Sequence, residues 1–229
     1  MRQKIGRWAA VLFIPLLGLC ASGPLFATQT HGASSHLLHL QEIAVNRYGL
    51  SAAASVNRWR SLLNASSDLP EQEKLKRINQ FFNLHVYYDE DKRIWQKSDY
   101  WATPLETLVQ ARGDCEDYSI AKYISLRLLD IPEDKLKLTY VNLYPVIGDS
   151  SKKQAHMVLA YYPDEQSEPL YLDNLQGQIL PASKRPELKP VFSFNDSAMW
   201  VDGEKTSVKP SVQLSRWRDV LNRMHNDGM

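Results

Sequence analysis

Residues 112–123 read Arg112-Gly113-Asp114-Cys115-Glu116-Asp117-Tyr118-Ser119-Ile120-Ala121-Lys122-Tyr123. Gly113 is a break, and from Cys115 onward the apolar positions Ile120, Ala121, Ile124, Leu128 and Leu129 recur at helical spacing until Pro132 stops them. Cys115 is thus expected at or near a helix N-terminus, where unpaired backbone N–H groups and the helix dipole favour a thiolate. The other cysteine, Cys20, lies in an N-terminal segment expected to be removed. A lone thiol in an exported chain has no internal disulfide partner, so it is either buried or has chemistry to do.

Upstream of this stretch the pattern is helical. Ser35 to Arg47 and Ser51 to Asn64 carry helix-like apolar spacing, and Asp68-Leu69-Pro70 reads as a cap and first-turn proline opening a helix to about Leu84. Thr103-Pro104-Leu105-Glu106 is a capping box, giving a short helix to about Ala111 that Gly113 ends. Downstream of Pro132 the signal changes to short runs of branched and aromatic residues: Leu136 to Leu143, Ala155 to Tyr162, Leu170 to Asp173 and Gln178 to Leu180. Residues 186–203 are ambiguous. A last helix is expected over about Val212 to Met224, with Leu214, Trp217, Leu221 and Met224 on one stripe. Helices followed by an antiparallel sheet make an α+β domain.

The first 27 residues read as a signal peptide: Arg2, Lys4 and Arg7, then an apolar core from Ala9 to Ala21, then Leu25-Phe26-Ala27 as a cleavage site. An uncleaved anchor and a lipid anchor are the alternatives, the second opposed by the bulk of Leu19 before Cys20. Removal leaves a single domain over 28–229, with 24 basic against 26 acidic side chains and no basic block. Nucleic acid and anionic membrane are therefore poor partners. Zinc is disfavoured as well, because one cysteine and scattered histidines offer no ligand cluster.

His156 opens one predicted strand, and Asp173, seventeen residues on, ends the next. Hairpin-related strands bring such residues side by side at a sheet end, and a helix packed on that sheet adds Cys115. The result is a thiol, a base and an orienting carboxylate in the order Cys, His, Asp. Taken singly, each has a plainer reading: a buried structural cysteine, a satisfied core histidine, a turn aspartate. Glu71 to Arg77 reads as a solvated helix face, while Trp59, Trp217 and Phe81-Phe82 read as core. Tyr87, Tyr88 and Trp95, beside Asp89, Glu90 and Asp91, line either a substrate groove or a packed loop.

The residues Asp99-Tyr100-Trp101-Ala102-Thr103-Pro104-Leu105-Glu106 and Gly113 to Tyr123, with His156 and Asp173, resemble the bacterial transglutaminase-like cysteine proteinases, the LapG-like periplasmic proteases. The resemblance is dense from about Asp89 to Tyr123. It implies a papain-like, transglutaminase-like fold with N-terminal helices packed on an antiparallel sheet. It implies Cys115 as nucleophile, His156 as general base and acid, and Asp173 as the residue that fixes the imidazole. It also implies Ca²⁺ as cofactor, with Asp114, Glu116 and Asp117 as the matching acids; the plainer reading is that these acids only cap the helix. The activity implied is that of a periplasmic endopeptidase cutting the N-terminal region of a large repeat-containing surface adhesin, at paired alanines before glycine. An inner-membrane LapD-like cyclic-di-GMP receptor would sequester it. For the oxyanion, the Cys115 backbone N–H is expected on geometry, with Trp101 or Trp95 as a possible second donor. A peptidoglycan-directed amidase and a non-catalytic calcium-binding module are the competing classes.

Overall fold

The computed structural model describes residues 30–144, 152–201 and 214–229. The signal segment with Cys20, and Val212 at the expected start of the last helix, lie outside the described residues. Among those described, no helix is long and apolar enough to cross a membrane.

Helices α1 (Thr30–Tyr48) and α2 (Leu50–Asn64) are parted by Gly49 at φ 86°, a left-handed conformation that favours glycine. α3 (Glu71–His85) starts one residue later than expected. Pro70 is its N-cap, and no side chain caps it. A two-residue strand β1 (Tyr87–Tyr88) and a single turn α4 (Asp91–Ile94) lead to α5 (Pro104–Gln110). The Thr103 capping box is formed, Thr103 Oγ1 accepting from Glu106 N at 3.2 Å and Glu106 Oε2 from Thr103 N at 2.8 Å. The expectation that Gly113 ends α5 is corrected: Ala111 does so, at φ 50°. Gly113 belongs instead to β2 (Arg112–Gly113), which pairs in parallel with β1.

α6 (Cys115–Leu128) follows, and then a six-stranded antiparallel sheet: β3 (Leu136–Leu143), β4 (Gln154–Tyr161), β5 (Leu170–Leu172), β6 (Leu180–Pro181), β7 (Leu188–Phe194) and β8 (Met199–Val201), in the order β6-β5-β4-β3-β7-β8. The ambiguous segment thus holds two strands. Its reading was obscured by Pro190, which cannot donate to a ladder. Pro190 sits at a register shift opposite Val141, and β8 covers only Phe192 to Phe194, leaving that side of Pro190 unpaired.

β4 is buried on both faces, so it lacks the alternation of a half-exposed strand. Met157, Leu159 and Tyr161 face the main core, while Val158 and Ala160 join Val141, Tyr171 and Leu188 in a smaller one. α6 lies directly on β3 and β4, α3 lies behind α6, and α2 packs on α5. α6 is buried along almost its whole length. Its carboxyl end is met by Lys74, whose Nζ donates to Leu129 O at 2.8 Å, a cation at the negative end of the helix. Trp59 Nε1 donates to Ser125 Oγ at 2.8 Å from behind. α7 (Ser215–Asn226) buries Trp217, Val220 and Met224. Trp217 meets Phe194 and Tyr123 edge-on, with ring centroids 5.6 and 5.8 Å away.

Candidate active site

Cys115 is the first residue of α6, and Asp114 is the cap. The Asp114 carboxylate accepts from Glu116 N, and Asp117 accepts from Asp114 N, both at 3.3 Å. The Cys115 backbone N–H is one of those a helix start leaves without an intrahelical acceptor. The thiol is buried, donates to Glu116 Oε2 at 2.7 Å and is faced by the backbone N–H of Met157, next to His156. One turn along, Ser119 Oγ donates to Met157 O at 3.1 Å, so α6 is fastened to β4 at this point. Burial, and then the Glu116 and Asp114 charges, push the thiol well above its ordinary value.

β5 ends at Leu172, paired with Leu159, and Asp173 follows directly. Asp173 Oδ1 lies 2.9 Å from His156 Nε2, and both side chains are buried. Asp173 Oδ2 takes Arg185 Nη2 at 2.7 Å, Leu175 N donates to Oδ1 at 3.0 Å, and Asn83 Nδ2 donates to the Asp173 carbonyl at 2.8 Å. Burial alone would raise this carboxyl. The bonds and charges of His156, Leu175 N and Arg185 overcome it and hold Asp173 at about 2. An ionised carboxylate only accepts, so Nε2 carries the proton, and Nδ1 is the nitrogen left to exchange a proton with a thiol. Sequence reading missed Arg185, because it lies between the last expected strand and the ambiguous segment and nothing in its neighbours marks it.

The acidic residues divide into two groups. Asp91, Asp114 and Asp117 bring carboxylate oxygens within 4.8 Å of one another, while Glu116 groups with Asp114 and the Cys115 sulfur. Of the three expected acids, Asp114 and Asp117 therefore share one cluster, Glu116 faces the thiol, and Asp91 is an addition. Its only sequence signal was membership of the acidic run 89–91. Ala102 N donates to Asp117 Oδ1 at 2.7 Å and Tyr100 N to Asp91 Oδ2, so one loop holds both acids. Asp91 Oδ1 is buried with no hydrogen-bond partner, and among the described residues none of the three acids is ion-paired. Burial, then the charges of Glu116 and Asp117, raises Asp114 to about 10, and burial raises Asp117 well above its ordinary value. Burial likewise takes Asp91 to about 6. Hard oxygen ligands crowded without a counter-charge fit a divalent cation such as Ca²⁺.

A groove of about 220 Å³ is lined in part by Glu116, the acceptor of the thiol's hydrogen bond. Trp101, Tyr140 and Phe192 wall it, and Asp99, Glu116 and Arg216 rim it. Tyr140 stacks on Phe192 with centroids 5.3 Å apart, and Arg216 pairs with Asp99 at 2.8 Å. The Trp101 indole N–H is buried and turned towards Asp99 without a hydrogen bond of regular geometry, whereas Trp95 Nε1 is buried without a partner.

Residues 53–207 match the family model of the bacterial transglutaminase-like cysteine proteinases. Among solved structures, EGTA-treated Legionella pneumophila LapG is 36% identical, with TM-score 0.72, covering 82% of this chain and 97% of its own. Calcium-bound Legionella pneumophila LapG is 37% identical, with TM-score 0.69, over 82% and 98%. No curated protein sequence matches.

Proposed function

Because this chain belongs to the bacterial transglutaminase-like cysteine proteinase family, we propose that it is a calcium-dependent cysteine endopeptidase of the periplasm, with Cys115, His156 and Asp173 as its triad. The observation that carries this is the His156–Asp173 pair, 2.9 Å apart and buried, on a strand fastened to the helix that starts with Cys115. Cys115 Sγ attacks the peptide carbonyl carbon as His156 takes the thiol proton. The tetrahedral intermediate collapses to a thioester while the imidazolium returns that proton to the leaving amine. Water, deprotonated by the same imidazole, then hydrolyses the thioester. Asp173 holds the tautomer, and the Cys115 N–H faces the oxyanion.

Asp91, Asp114 and Asp117 would hold the Ca²⁺, and Glu116 adds its charge beside the thiol. When bound, the ion neutralises carboxylates that oppose ionisation of Cys115: one unit charge about 4 Å away acts with about 4 kcal/mol at an effective dielectric of 20, or about three pKa units. Support comes from the fit of the acids to a cation, and from a relative of known structure that binds calcium.

The substrate we propose is the N-terminal region of a large repeat-containing surface adhesin, cut at paired alanines before glycine so that biofilm cells are released. The groove lined by Trp101, Tyr140 and Phe192 is the surface we propose selects small side chains. Control by an inner-membrane LapD-like cyclic-di-GMP receptor completes the proposal and rests on family resemblance. The test is incubation of the purified protein with an adhesin fragment and with muropeptides, with Ca²⁺ or EGTA. Cleavage of the fragment only, lost in EGTA and in Cys115→Ala, is expected. Cleavage of muropeptides instead, or undiminished cleavage by folded Cys115→Ala, overturns the reading.

A further inference from the structure

Lys122 sits two turns beyond Cys115 on the same side of α6. It is fully buried, and its Nζ makes no hydrogen bond; the nearest ring, that of Tyr118, has its centroid 5.6 Å away. Lysine is almost never buried without a partner, because the lost hydration of its charge is uncompensated. α3, packed behind α6, carries two groups with the opposite need. Asn83 gives its amide N–H to Asp173 O at 2.8 Å, and Asn79 gives its own to Gly177 O at 3.1 Å. The Oδ1 of each is buried without a donor. A donor-only cation and two unfilled acceptors thus flank the loop that carries Asp173.

The charged and titratable groups around Lys122 are few. α6 contributes Tyr118, and the segment after β5 contributes Asp173. Lys74 of α3 is committed to Leu129 O, and Arg185 to Asp173 and Glu187. Asp173 is the acid whose charge acts on Lys122.

We propose that Lys122 is a positioning residue of the triad, a buried, unpartnered ammonium on α6 that draws electron density from Asp173 and so weakens the His156–Asp173 hydrogen bond. This rests on the triad reading. Burial pulls the amine down to about 7, so its charge is present at pH 6 and gone by pH 9. An apolar side chain here would serve the core better, so a retained amine is explained by what its charge does to Asp173.

The experiment uses Cys115→Ala protein without substrate. It follows by proton NMR the resonance of the proton between His156 and Asp173, from pH 6 to pH 9, with and without Lys122→Met. The expected result is a downfield shift in the Lys122→Met protein at pH 6 that disappears by pH 9. An equal difference at every pH marks Lys122 as structural only and overturns the proposal, as does no difference at all. Lys122→Gln gives the same reading if the methionine variant does not fold. No cleavage is measured, so failure here is distinct from failure of the peptidase assignment.

Discussion

Asp173 is bonded on one oxygen by His156, the base proposed above to exchange protons, and on the other by Arg185, a cation that does not. The arginine keeps the carboxylate ionised whatever state the imidazole is in, and fixes the plane in which His156 finds it. Arg185→Met leaves a buried charge half-satisfied and is expected to cost about 3–5 kcal/mol in urea unfolding. It should also reduce cleavage in protein that remains folded. The pH dependence has a definite sign. Asp173 is held at about 2, below the ordinary aspartate value of about 3.9, so between those values the unfolded chain binds the extra proton. Its contribution to stability is complete above about pH 4 and is lost as pH falls towards 2. Unfolding midpoints of wild type and Arg185→Met, compared from pH 3 to pH 6, should converge at the acid end. A constant gap across that range counts against the assignment.

At the scale of elements, the start of α6 does two incompatible things: it caps a helix with a carboxylate and crowds that carboxylate against two others. Asp114→Asn separates them, because asparagine caps as well as aspartate does but carries no charge. Without metal, Asp114→Asn should melt higher than wild type near neutral pH. The raised Asp114 makes the metal-free protein lose stability as pH rises from about 4 towards 10, and the variant should lose less. With Ca²⁺ the order should reverse. Wild type at a hundredfold excess over Kd gains about 2.7 kcal/mol, roughly 5–10 °C in Tm, and the variant gains much less. Differential scanning fluorimetry in EGTA and in Ca²⁺ reads both effects. One residue earlier, a Cβ on Gly113 would stand 2.7 Å from Asp117 Cβ and Oδ2, so Gly113→Ala must displace Asp117. Its calcium-dependent Tm shift and its cleavage should both fall, and an unchanged shift removes Asp117 from the ligand set. Cys115, His156 and Asp173 were legible in the sequence as candidates, since Cys115 opens α6, His156 lies near the start of β4 and Asp173 directly follows β5, where periodicity or breakers mark the boundaries. Arg185 and Asp91 were not. They reach the site through tertiary approach from a proline-interrupted segment and a one-turn helix, where no local pattern announces an inward side chain.

For the molecule as a whole, α7 holds the groove side together. Arg223 bonds Glu106 and the Trp101 carbonyl and lies 4.5 Å from the centre of the Tyr100 ring, while Arg216 reaches Asp99 and the groove rim. Trp217 is the wedge that seats the helix, and Trp217→Ala should cost about 3–5 kcal/mol, measured by urea unfolding. Any folded Trp217→Ala protein should lose cleavage beyond its loss of stability, because the aromatic wall rests on α7 through Phe194. Equal specific activity would show that wall to stand alone. These contacts join residues more than a hundred positions apart. A chain emerging amino end first therefore exposes Cys115, the nucleophile proposed above, and its neighbouring acids long before α7 arrives at the groove. On that proposal the order of emergence would be a safety catch, withholding the cutting edge from neighbouring chains until the last helix is in place.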